Sequence, residues 1–265
     1  MPTPRCAKPE RPLLDRYDLY ERCVQSPRAM VRFLAAAHGG RPRLLREDFS
    51  GGAALCKAWV ADASGRRAIA VDRDPEPLRR VAGVPGIVVR RADVHNPGDR
   101  ADVIAALNFP LGYFHERASL LRYLRLSRAR LRRGGVFVGD IYGGRSAFTP
   151  GTRRVTLRTP EGVRVRYEWD QRRADTLTGR VENAIHFTVY DQRPPRRLRD
   201  AFTYDWRLWS LPELRDAYAE AGYTHVDVFD QEAGAMDHLG NLHLTPVREG
   251  ADLGDDWVVY VVGRR

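Results

Sequence analysis

The sequence is poor in cysteine, and its three cysteines do not form a recognisable pattern. Cys6, Cys23 and Cys56 lie far apart in the 265 residues and make no C-x-x-C pair. An odd number at such spacing argues against a disulfide framework and a zinc site, so reduced thiols and no metal are expected. No run approaches the roughly 18 consecutive apolar residues of a membrane span, and the first residues lack the apolar core of a signal peptide. We therefore expect a cytoplasmic protein with no membrane partner.

Lysine is nearly absent, yet the chain is strongly basic. Lys8 and Lys57 are the only lysines, so arginine supplies almost all of the 44 basic residues, which exceed the 34 acidic residues by a formal charge of +10. Clustered positive charge is typical of proteins that bind nucleic acid. Arginine with abundant alanine, glycine and valine is equally typical of a GC-rich genome, and the stretch from Arg122 to Arg133 has the spacing of a solvated helix face. The net positive charge is therefore compatible both with a compositional origin and with a functional basic surface.

The hydrophobic pattern changes period along the chain. Helical spacing over residues 13–37, interrupted near Pro27 and ended by Gly39-Gly40, predicts an N-terminal helical cap over residues 1–40. Short apolar runs then alternate with helical segments, and the runs lie at 43–47, 68–72, 86–90, 101–107 and 136–141. Such alternation predicts an α/β fold with a doubly wound parallel sheet that is covered on both faces.

A second pattern interrupts this core. Residues 153–205 alternate apolar and polar side chains with period two between Gly, Pro and Asp turns, which predicts inserted antiparallel strands. A helix at 211–221 and strands at 226–229 and 257–262 then complete a Rossmann-like, mostly parallel, seven-stranded sheet. The prediction is thus a core over residues 41–265 whose antiparallel β insertion at 153–205 acts as a substrate lid.

The sequence has no Gly-x-Gly-x-x-Gly fingerprint, which disfavours pyrophosphate binding and a nicotinamide dehydrogenase. It does place acids where a doubly wound sheet binds its ligand, at the carboxyl ends of the strands. The first strand ends in the small-residue turn from Glu47 to Ala53, and the second ends at Asp72, from which a carboxylate can hold both hydroxyls of a ribose. Asp93 follows the third strand and can accept from an adenine amino group. The Asn108-Phe109 loop follows the fourth strand.

These residues, in this order, resemble the class I S-adenosylmethionine-dependent methyltransferases over essentially the whole chain. The resemblance is reinforced by the stretch from Arg207 to Leu214, which leads to Ala221-Gly222-Tyr223. The chain is similar to a bacterial branch with an EDFxGTA-like turn and a YxLYexxVQSP-like N-terminal helix, here Tyr17 to Pro27. It departs from the family at Phe49 and Ala53, where glycine is more common, and this puts the geometry of the turn in doubt.

The resemblance implies an in-line transfer of the methyl group of S-adenosylmethionine, with S-adenosylhomocysteine as the product and without a metal. The cofactor-binding residues that it implies are Glu47, Phe49, Gly51, Asp72, Arg73, Asp93, Val94, Asn108 and Phe109. Tyr17, Tyr20 and Gln25 either close over the cofactor as a lid or pack on the core.

Catalytic and substrate-binding residues are sought in the insertion and near the fourth loop. The candidates for acid–base catalysis are His186 and Tyr204, with His115 as the second choice of base. The candidates for substrate contact are Tyr113, Trp169, Trp206 and Arg207. Aromatic side chains on antiparallel strands also commonly pack onto a core, so a purely structural role stays open for each.

Three functions remain after this reading. The first is methyl transfer to an N or O nucleophile of a small molecule. The second is methylation of RNA or another nucleic acid, although the Asn108-Phe109-Pro110-Leu111 loop lacks the final aromatic residue that stacks on a flipped base. The third is a non-catalytic protein that binds the cofactor. Both a monomer and a homodimer are compatible with the sequence.

Overall fold

The computed structural model describes residues 13–96, 98–231, 234–236 and 242–265. Residues 1–12, which include Cys6 and the start of the predicted cap, lie outside the described residues. The helices are α1 (Arg16–Cys23), α2 (Pro27–His38), α3 (Ala54–Asp62), α4 (Pro75–Leu78), α5 (Arg117–Arg130) and α6 (Leu211–Glu220). The strands are β1 (Leu44–Asp48), β2 (Arg67–Asp72), β3 (Ile87–Arg91), β4 (Ala101–Ala106), β5 (Leu131–Gly144), β6 (Gly151–Arg158), β7 (Arg164–Asp175), β8 (Arg180–Val189), β9 (Arg196–Arg207), β10 (His225–Asp230), β11 (Ala235–Met236), β12 (Leu242–His243) and β13 (Asp256–Arg264).

Within the described residues, the central sheet has seven strands in the order β10-β13-β5-β4-β1-β2-β3. The strands β1 to β5 run parallel, and β13 pairs antiparallel with both β5 and β10 at one edge. This confirms the predicted mostly parallel α/β fold. Strand β1 lies between β2 and β4, so the strand order reverses beside it and opens a crevice at the carboxyl ends of β1 and β4.

Helices cover both faces of this sheet, as expected for strands that read as continuous apolar runs. On one face α2 and α3 contribute Leu34 and Trp59, and on the other face α5 and α6 contribute Leu120 and Tyr218. All four side chains are fully buried. Burial of each large apolar side chain stabilises the fold by about 1.5–3 kcal/mol, so these two layers hold the strand ends in fixed positions.

The inserted strands form a second antiparallel sheet in the order β6-β7-β8-β9. Its strands extend from Gly151 to Arg207, beyond both predicted bounds at 153 and 205. The fully buried Leu19 of α1 packs in the same core cluster as Ile185 and Phe187 of β8. The insertion and α1 therefore form one unit above the carboxyl edge of the central sheet.

The predicted interruption of the N-terminal helical pattern near Pro27 is observed. The pattern is divided into α1 and α2, because Pro27 has no N–H to continue a helix and instead occupies the first turn of α2. Helix α4 is a single turn, and the chain continues as turns from Arg79 to Gly83. Among the described helices, none is long and apolar enough to cross a membrane.

Candidate functional site

A cavity of about 630 Å³ lies at the crevice where the strand order reverses. Its floor comes from the loops after β1, β2, β3 and β4, and its roof comes from α1 and β9. Several residues that the sequence singled out meet there. Those that line the cavity are Tyr17, Tyr20, Gln25, Phe49, Gly51, Asp72, Arg73, Asp93, Val94, Asn108, Tyr113 and Tyr204.

The turn after β1 has a left-handed backbone at three positions. Gly51 has a φ of 49°, but Phe49 and Ala53 also have positive φ values, of 59° and 52°. Such a backbone costs an ordinary L-residue about 1–2 kcal/mol. The Phe49 ring lies within about 6 Å of the Tyr113, Phe114 and Tyr123 rings, and this packing offsets the cost. The two departures from glycine therefore change the residue type and keep a glycine-like backbone.

Asp72 and Asp93 occupy the ends of the neighbouring strands. The Asp72 carboxylate accepts hydrogen bonds from the backbone N–H groups of Gly51 (2.8 Å) and Asp74 (2.9 Å), one on each oxygen. A carboxylate oxygen has room for a second donor, so both oxygens can also hold a ligand hydroxyl. Asp93 accepts from the backbone N–H of His95 at 2.8 Å, and this bond holds the pKa of Asp93 below its ordinary value.

Glu47 lies beneath the turn and is not among the cavity-lining residues. Its side chain is buried and accepts from the backbone N–H of Cys56 at 3.1 Å, in the first turns of α3. Burial raises its pKa to about 7. The position of Glu47 therefore suits support of the turn and of α3, beneath the surface that a ligand would touch.

The loop after β4 forms a tight turn that is held from below by a residue the sequence analysis missed. Asn108 and Phe109 both have left-handed backbones, with φ values of 70° and 67°. Their N–H groups donate to the two oxygens of Asp140, at 2.8 and 2.7 Å. Burial raises the pKa of Asp140 to about 7. Asn108 faces the cavity, whereas the Phe109 ring packs behind it against Trp206 at 5.9 Å.

The roof of the cavity is rich in tyrosine. Tyr20 and Tyr204 both line the roof, and the Tyr17 ring contacts the Phe202 ring edge-on at 5.6 Å. Burial raises the pKa of Tyr204 well above its ordinary value. Tyr204 is therefore a neutral phenol near pH 7. A neutral phenol can hydrogen-bond to a ligand, but it is a poor base for removing a proton from that ligand.

Four of the first-choice candidates for catalysis or substrate contact lie outside the cavity lining. Trp206 is fully buried, and its ring stacks on the Tyr204 ring at 4.3 Å. The Trp169 ring also stacks on the Tyr204 ring, at 6.1 Å. Arg207 lies over the Trp209 ring and reaches Glu213 at 3.3 Å. The two tryptophans thus back the tyrosine roof from behind.

His186 is the fourth of these residues. Its Nδ1 accepts the backbone N–H of Asp200 at 2.9 Å, and its Nε2 lies 3.4 Å from Asp170. Asp200 itself has a positive φ of 49° and lines the cavity. His186 therefore supports a bulge in the roof. His115, the second choice of base, has its Nε2 2.8 Å from the carbonyl of Asp205 and is not in the lining.

The lining carries more acids than arginines, in contrast to the basic chain as a whole. The charged residues that line the cavity are Arg16, Glu21, Asp72, Arg73, Asp74, Arg80, Asp93 and Asp200. Arg16 pairs with Glu76, and Arg80 pairs with Asp15 and Asp18. The arginines therefore do not form an open basic stripe at this cavity. Among the described residues, no group of three His, Cys, Asp or Glu side chains is arranged to hold a metal.

Comparison with known proteins gives similar folds but no close relative. No protein-family model and no curated protein sequence matches the chain. A S-adenosylmethionine-dependent methyltransferase from Clostridium acetobutylicum superposes with a TM-score of 0.65 at 15% identity, covering 94% of this chain and 95% of the other.

Two further solved structures are similar to this chain over nearly its full length. The amino pentose methyltransferase CalS10 of Micromonospora echinaspora, involved in calicheamicin biosynthesis, has a TM-score of 0.65 at 16% identity, covering 97% of this chain and 99% of its own. The sugar N-methyltransferase KedS8 from Streptoalloteichus has a TM-score of 0.62 at 20% identity, covering 100% and 98%. At such identities the comparisons show that the chain shares the methyltransferase fold over nearly its full length.

Proposed function

We propose that this protein transfers a methyl group from S-adenosylmethionine to an N or O nucleophile of a small molecule. One observation carries the proposal: a single cavity at the reversal of strand order collects the Gly51 turn, Asp72, Asp93 and Asn108 beneath a closed roof. Each of these positions follows a different parallel strand, which is how doubly wound sheets assemble a ligand site.

The cavity fits the chemistry of this cofactor. The free acceptor positions of Asp72 match the two hydroxyls of a ribose, and Asp93 with the neighbouring Val94 matches the edge of an adenine. Excess acid in the lining suits a cofactor with a net positive charge. The Ser50 hydroxyl is buried in the same turn without a hydrogen-bond partner among the described residues, as expected of a group that awaits a ligand. When bound, the cofactor supplies an activated methyl group on its sulfonium.

The chain's own residues would orient the acceptor and exclude water. Tyr20 and Tyr204 offer neutral phenols from the roof, Tyr113 is partly exposed at the side, and Asn108 offers an amide from the floor. Fixed hydrogen-bonding groups around a closed space hold two reactants in line, which is the main contribution a protein makes to a direct displacement. In this proposal His186 acts indirectly, by supporting Asp200 in the roof.

A small molecule is the acceptor class best supported by the cavity and by the named neighbours. The volume of about 630 Å³ lies within the range of small-molecule sites, and it must accommodate the cofactor as well. Two of the structural neighbours are named as methyltransferases of an amino pentose and of a sugar nitrogen. The pairing of Arg16 and Arg80 with acids gives nucleic acid no open row of cations here.

The first experiment measures binding of S-adenosylmethionine and S-adenosylhomocysteine to the purified protein by calorimetry. We expect micromolar dissociation constants, which Asp72→Ala raises at least tenfold, equivalent to about 1.4 kcal/mol. Asp99→Ala is the matched control, because Asp99 is an exposed acid that pairs only weakly, at 3.4 Å, with Arg90. A wild-type protein that binds neither compound contradicts the proposal.

The second experiment identifies the acceptor class. Radioactive methyl transfer is measured with separate pools of amino sugars, other small amines, phenols and total RNA. We expect incorporation in a small-molecule pool, abolished in Tyr204→Ala and kept in part by Tyr204→Phe, because the ring packing survives there. Incorporation confined to RNA would favour the nucleic-acid alternative, and tight binding without turnover in any pool would favour a non-catalytic binding protein.

A further inference from the structure

The turn formed by Asn108 and Phe109 is held in an unusual way. Both residues have left-handed backbones, which residues other than glycine disfavour. The turn connects β4 to the 3-10 turn at Pro110–Tyr113. Its two consecutive N–H groups donate to the two oxygens of one carboxylate, that of Asp140 at the carboxyl end of β5. A single side chain therefore fixes a turn that is 31–32 residues away in sequence.

Among the residues that the structure describes, no cation pairs with Asp140. Its side chain is buried, and none of the ion pairs in the described part of the chain includes it. The titratable side chains that interact with it are phenols on three packed elements, namely Tyr20 of α1, Tyr218 of α6 and Tyr260 of β13. Burial raises the pKa of all three phenols above the ordinary value, so all stay neutral around pH 7. Among Asp140 and these three phenols, only Asp140 changes its charge near neutrality.

A proton on Asp140 would disrupt the paired bonds. An ionised carboxylate accepts from two N–H groups at once, but a protonated one carries an O–H donor and presents its N–H partners with a weaker acceptor. Asn108 lies on the cavity side of the turn, and the Phe109 ring packs against Tyr142 and Trp206 behind the roof. Loosening the turn therefore disturbs both the floor and the backing of the roof.

We propose that Asp140 is a positioning residue that fixes the Asn108–Phe109 turn at the edge of the cavity, so that its protonation loosens the turn and weakens ligand binding. The ligand named in the test rests on the proposed function, whereas the paired bonds do not. If only the ionised form supports binding, the apparent dissociation constant scales with the inverse of the ionised fraction. With a pKa of about 7 this predicts about tenfold weaker binding at pH 6 than at pH 8.

The chain supplies a matched control for this arrangement. Asp102 also accepts two consecutive N–H groups, from Arg43 at 2.9 Å and Leu44 at 2.8 Å, but at the opposite end of the sheet. Asp140→Asn places an amide NH₂ group where one of its two acceptor oxygens stood. In Asp102→Asn the amide oxygen can keep both bonds, because both end on one carboxylate oxygen. Each substitution removes a carboxylate that accepts two N–H groups, and only the first disrupts the paired bonds beside the cavity.

The test combines backbone NMR with calorimetry of S-adenosylhomocysteine between pH 6 and pH 8. In the wild type we expect the Asn108 and Phe109 amide signals to titrate with a midpoint near pH 7, and the affinity to fall about tenfold at the lower pH. In Asp140→Asn we expect at least tenfold faster hydrogen exchange of these two amides and a smaller pH dependence of binding than in the wild type, with the remainder due to Glu47. In Asp102→Asn we expect the Asn108 and Phe109 amides to exchange at the wild-type rate, with binding unchanged within twofold.

Three results would overturn the inference. The first is exchange of the Asn108 and Phe109 amides in Asp140→Asn at the wild-type rate. The second is a released turn with unchanged affinity and pH dependence, which would leave Asp140 a purely structural role. In both cases the wild type still binds the ligand, so the proposed function stands. The third is absence of any binding by the wild type, which removes the proposed function and the control of its site together.

Discussion

At each end of the parallel strands, here called the amino edge and the carboxyl edge, one aspartate accepts two consecutive backbone N–H groups. The electrostatic surroundings of these two aspartates differ. At the amino edge, Asp102 accepts the N–H groups of Arg43 and Leu44, and Arg132 lies 3.1 Å from the same carboxylate. Partial burial disfavours its ionisation, but the two N–H bonds and Arg132 outweigh it and hold the pKa of Asp102 below its ordinary value. At the carboxyl edge, Asp140 accepts two N–H groups without a cation, and burial raises its pKa to about 7.

The difference extends to the neighbouring acids of the carboxyl edge. Burial also raises the pKa of Glu47 to about 7 and that of Asp48 above its ordinary value. A fold selected for stability alone would not bury several acids in one place, because desolvated carboxylates oppose folding. Raised pKa values clustered around a cavity are typical of functional sites. The amino edge serves stability, and the carboxyl edge gives up stability where the ligand would bind.

The largest expected effect comes from breaking the buried ion pair between Arg46 and Asp48 at the carboxyl edge. Arg46 and Asp48 are buried and 2.7 Å apart, and Tyr123 donates to the second Asp48 oxygen at 3.0 Å. Arg46→Met leaves the buried Asp48 carboxylate without its direct ion-pair partner, so we expect a loss of about 3–5 kcal/mol in the free energy of unfolding. Chemical denaturation at pH 7.5 measures it.

The control for this substitution lies at the other edge. Arg132→Met removes the cation from Asp102, but Arg132 is about half exposed, so the expected loss is below about 1 kcal/mol. The double substitution Arg46→Met with Asp48→Leu should recover most of the lost stability, because it removes both buried charges. Equal losses from Arg46→Met and Arg132→Met would contradict the contrast between the edges.

The next effect is a pH-dependent gain of stability. The pKa of Glu47 is about 7 in the folded chain and near 4.5 when unfolded, so its ionisation opposes folding progressively as pH rises from about 4.5 to 7. Glu47→Gln keeps an acceptor for the Cys56 N–H and removes this cost. We expect the free energy of unfolding of the variant to exceed that of the wild type by about 2–3 kcal/mol at pH 8, with little difference at pH 5.

Denaturation of both proteins at several pH values measures this difference, and the comparison cancels other titrating groups. His38 is one such group: burial lowers its pKa, so its contribution increases stability as pH rises through 6.5. Cofactor affinity should fall in Glu47→Gln, because the turn above it loses its charged support. A variant that is no more stable than wild type at pH 8 would show that ionisation of Glu47 does not destabilise the fold.

Sequence reasoning was most effective where one strand or one helix decides the outcome. Apolar runs fixed the alternation of strands and helices, and polar residues directly after those runs marked Asp72, Asp93 and Asn108, all of which line the cavity. Parallel strands bring their carboxyl ends to one edge, so residues distant in sequence could be grouped without coordinates.

It was least effective where a partner comes from a distant element. The role of Asp140 depends on N–H groups that no local pattern reveals, and its only signal was an acid near the end of an apolar strand. The left-handed backbones of Phe49 and Ala53 are stabilised by tertiary packing. Period two could place His186 on one face of β8, but a register shift there decides what it touches.

The smallest expected effect concerns the exposed contacts that fasten α1 over the cavity. Glu76 lies just after the start of α4, outside the cavity lining, and binds Arg16 and the Tyr17 hydroxyl (3.2 Å) of α1. More than half of its side chain is exposed, so such a pair contributes only about 0.2–1 kcal/mol and is screened by salt. Because α1 forms part of the roof, we expect Glu76→Ala to speed release of S-adenosylhomocysteine about two- to fivefold in stopped flow at low salt.

The salt dependence of this release separates a fastening of the roof from a direct ligand contact. At about 0.5 M salt the wild type should release the ligand almost as fast as Glu76→Ala, because salt screens the ion pair that the variant lacks. Glu182→Ala, which removes an equally exposed acid paired with Arg173, should match the wild type at every salt concentration. If Glu76→Ala releases the ligand no faster than the wild type at low salt, the roof is held mainly by the apolar contacts of Leu19 and Phe202, and exposed charge has no part in closing the site.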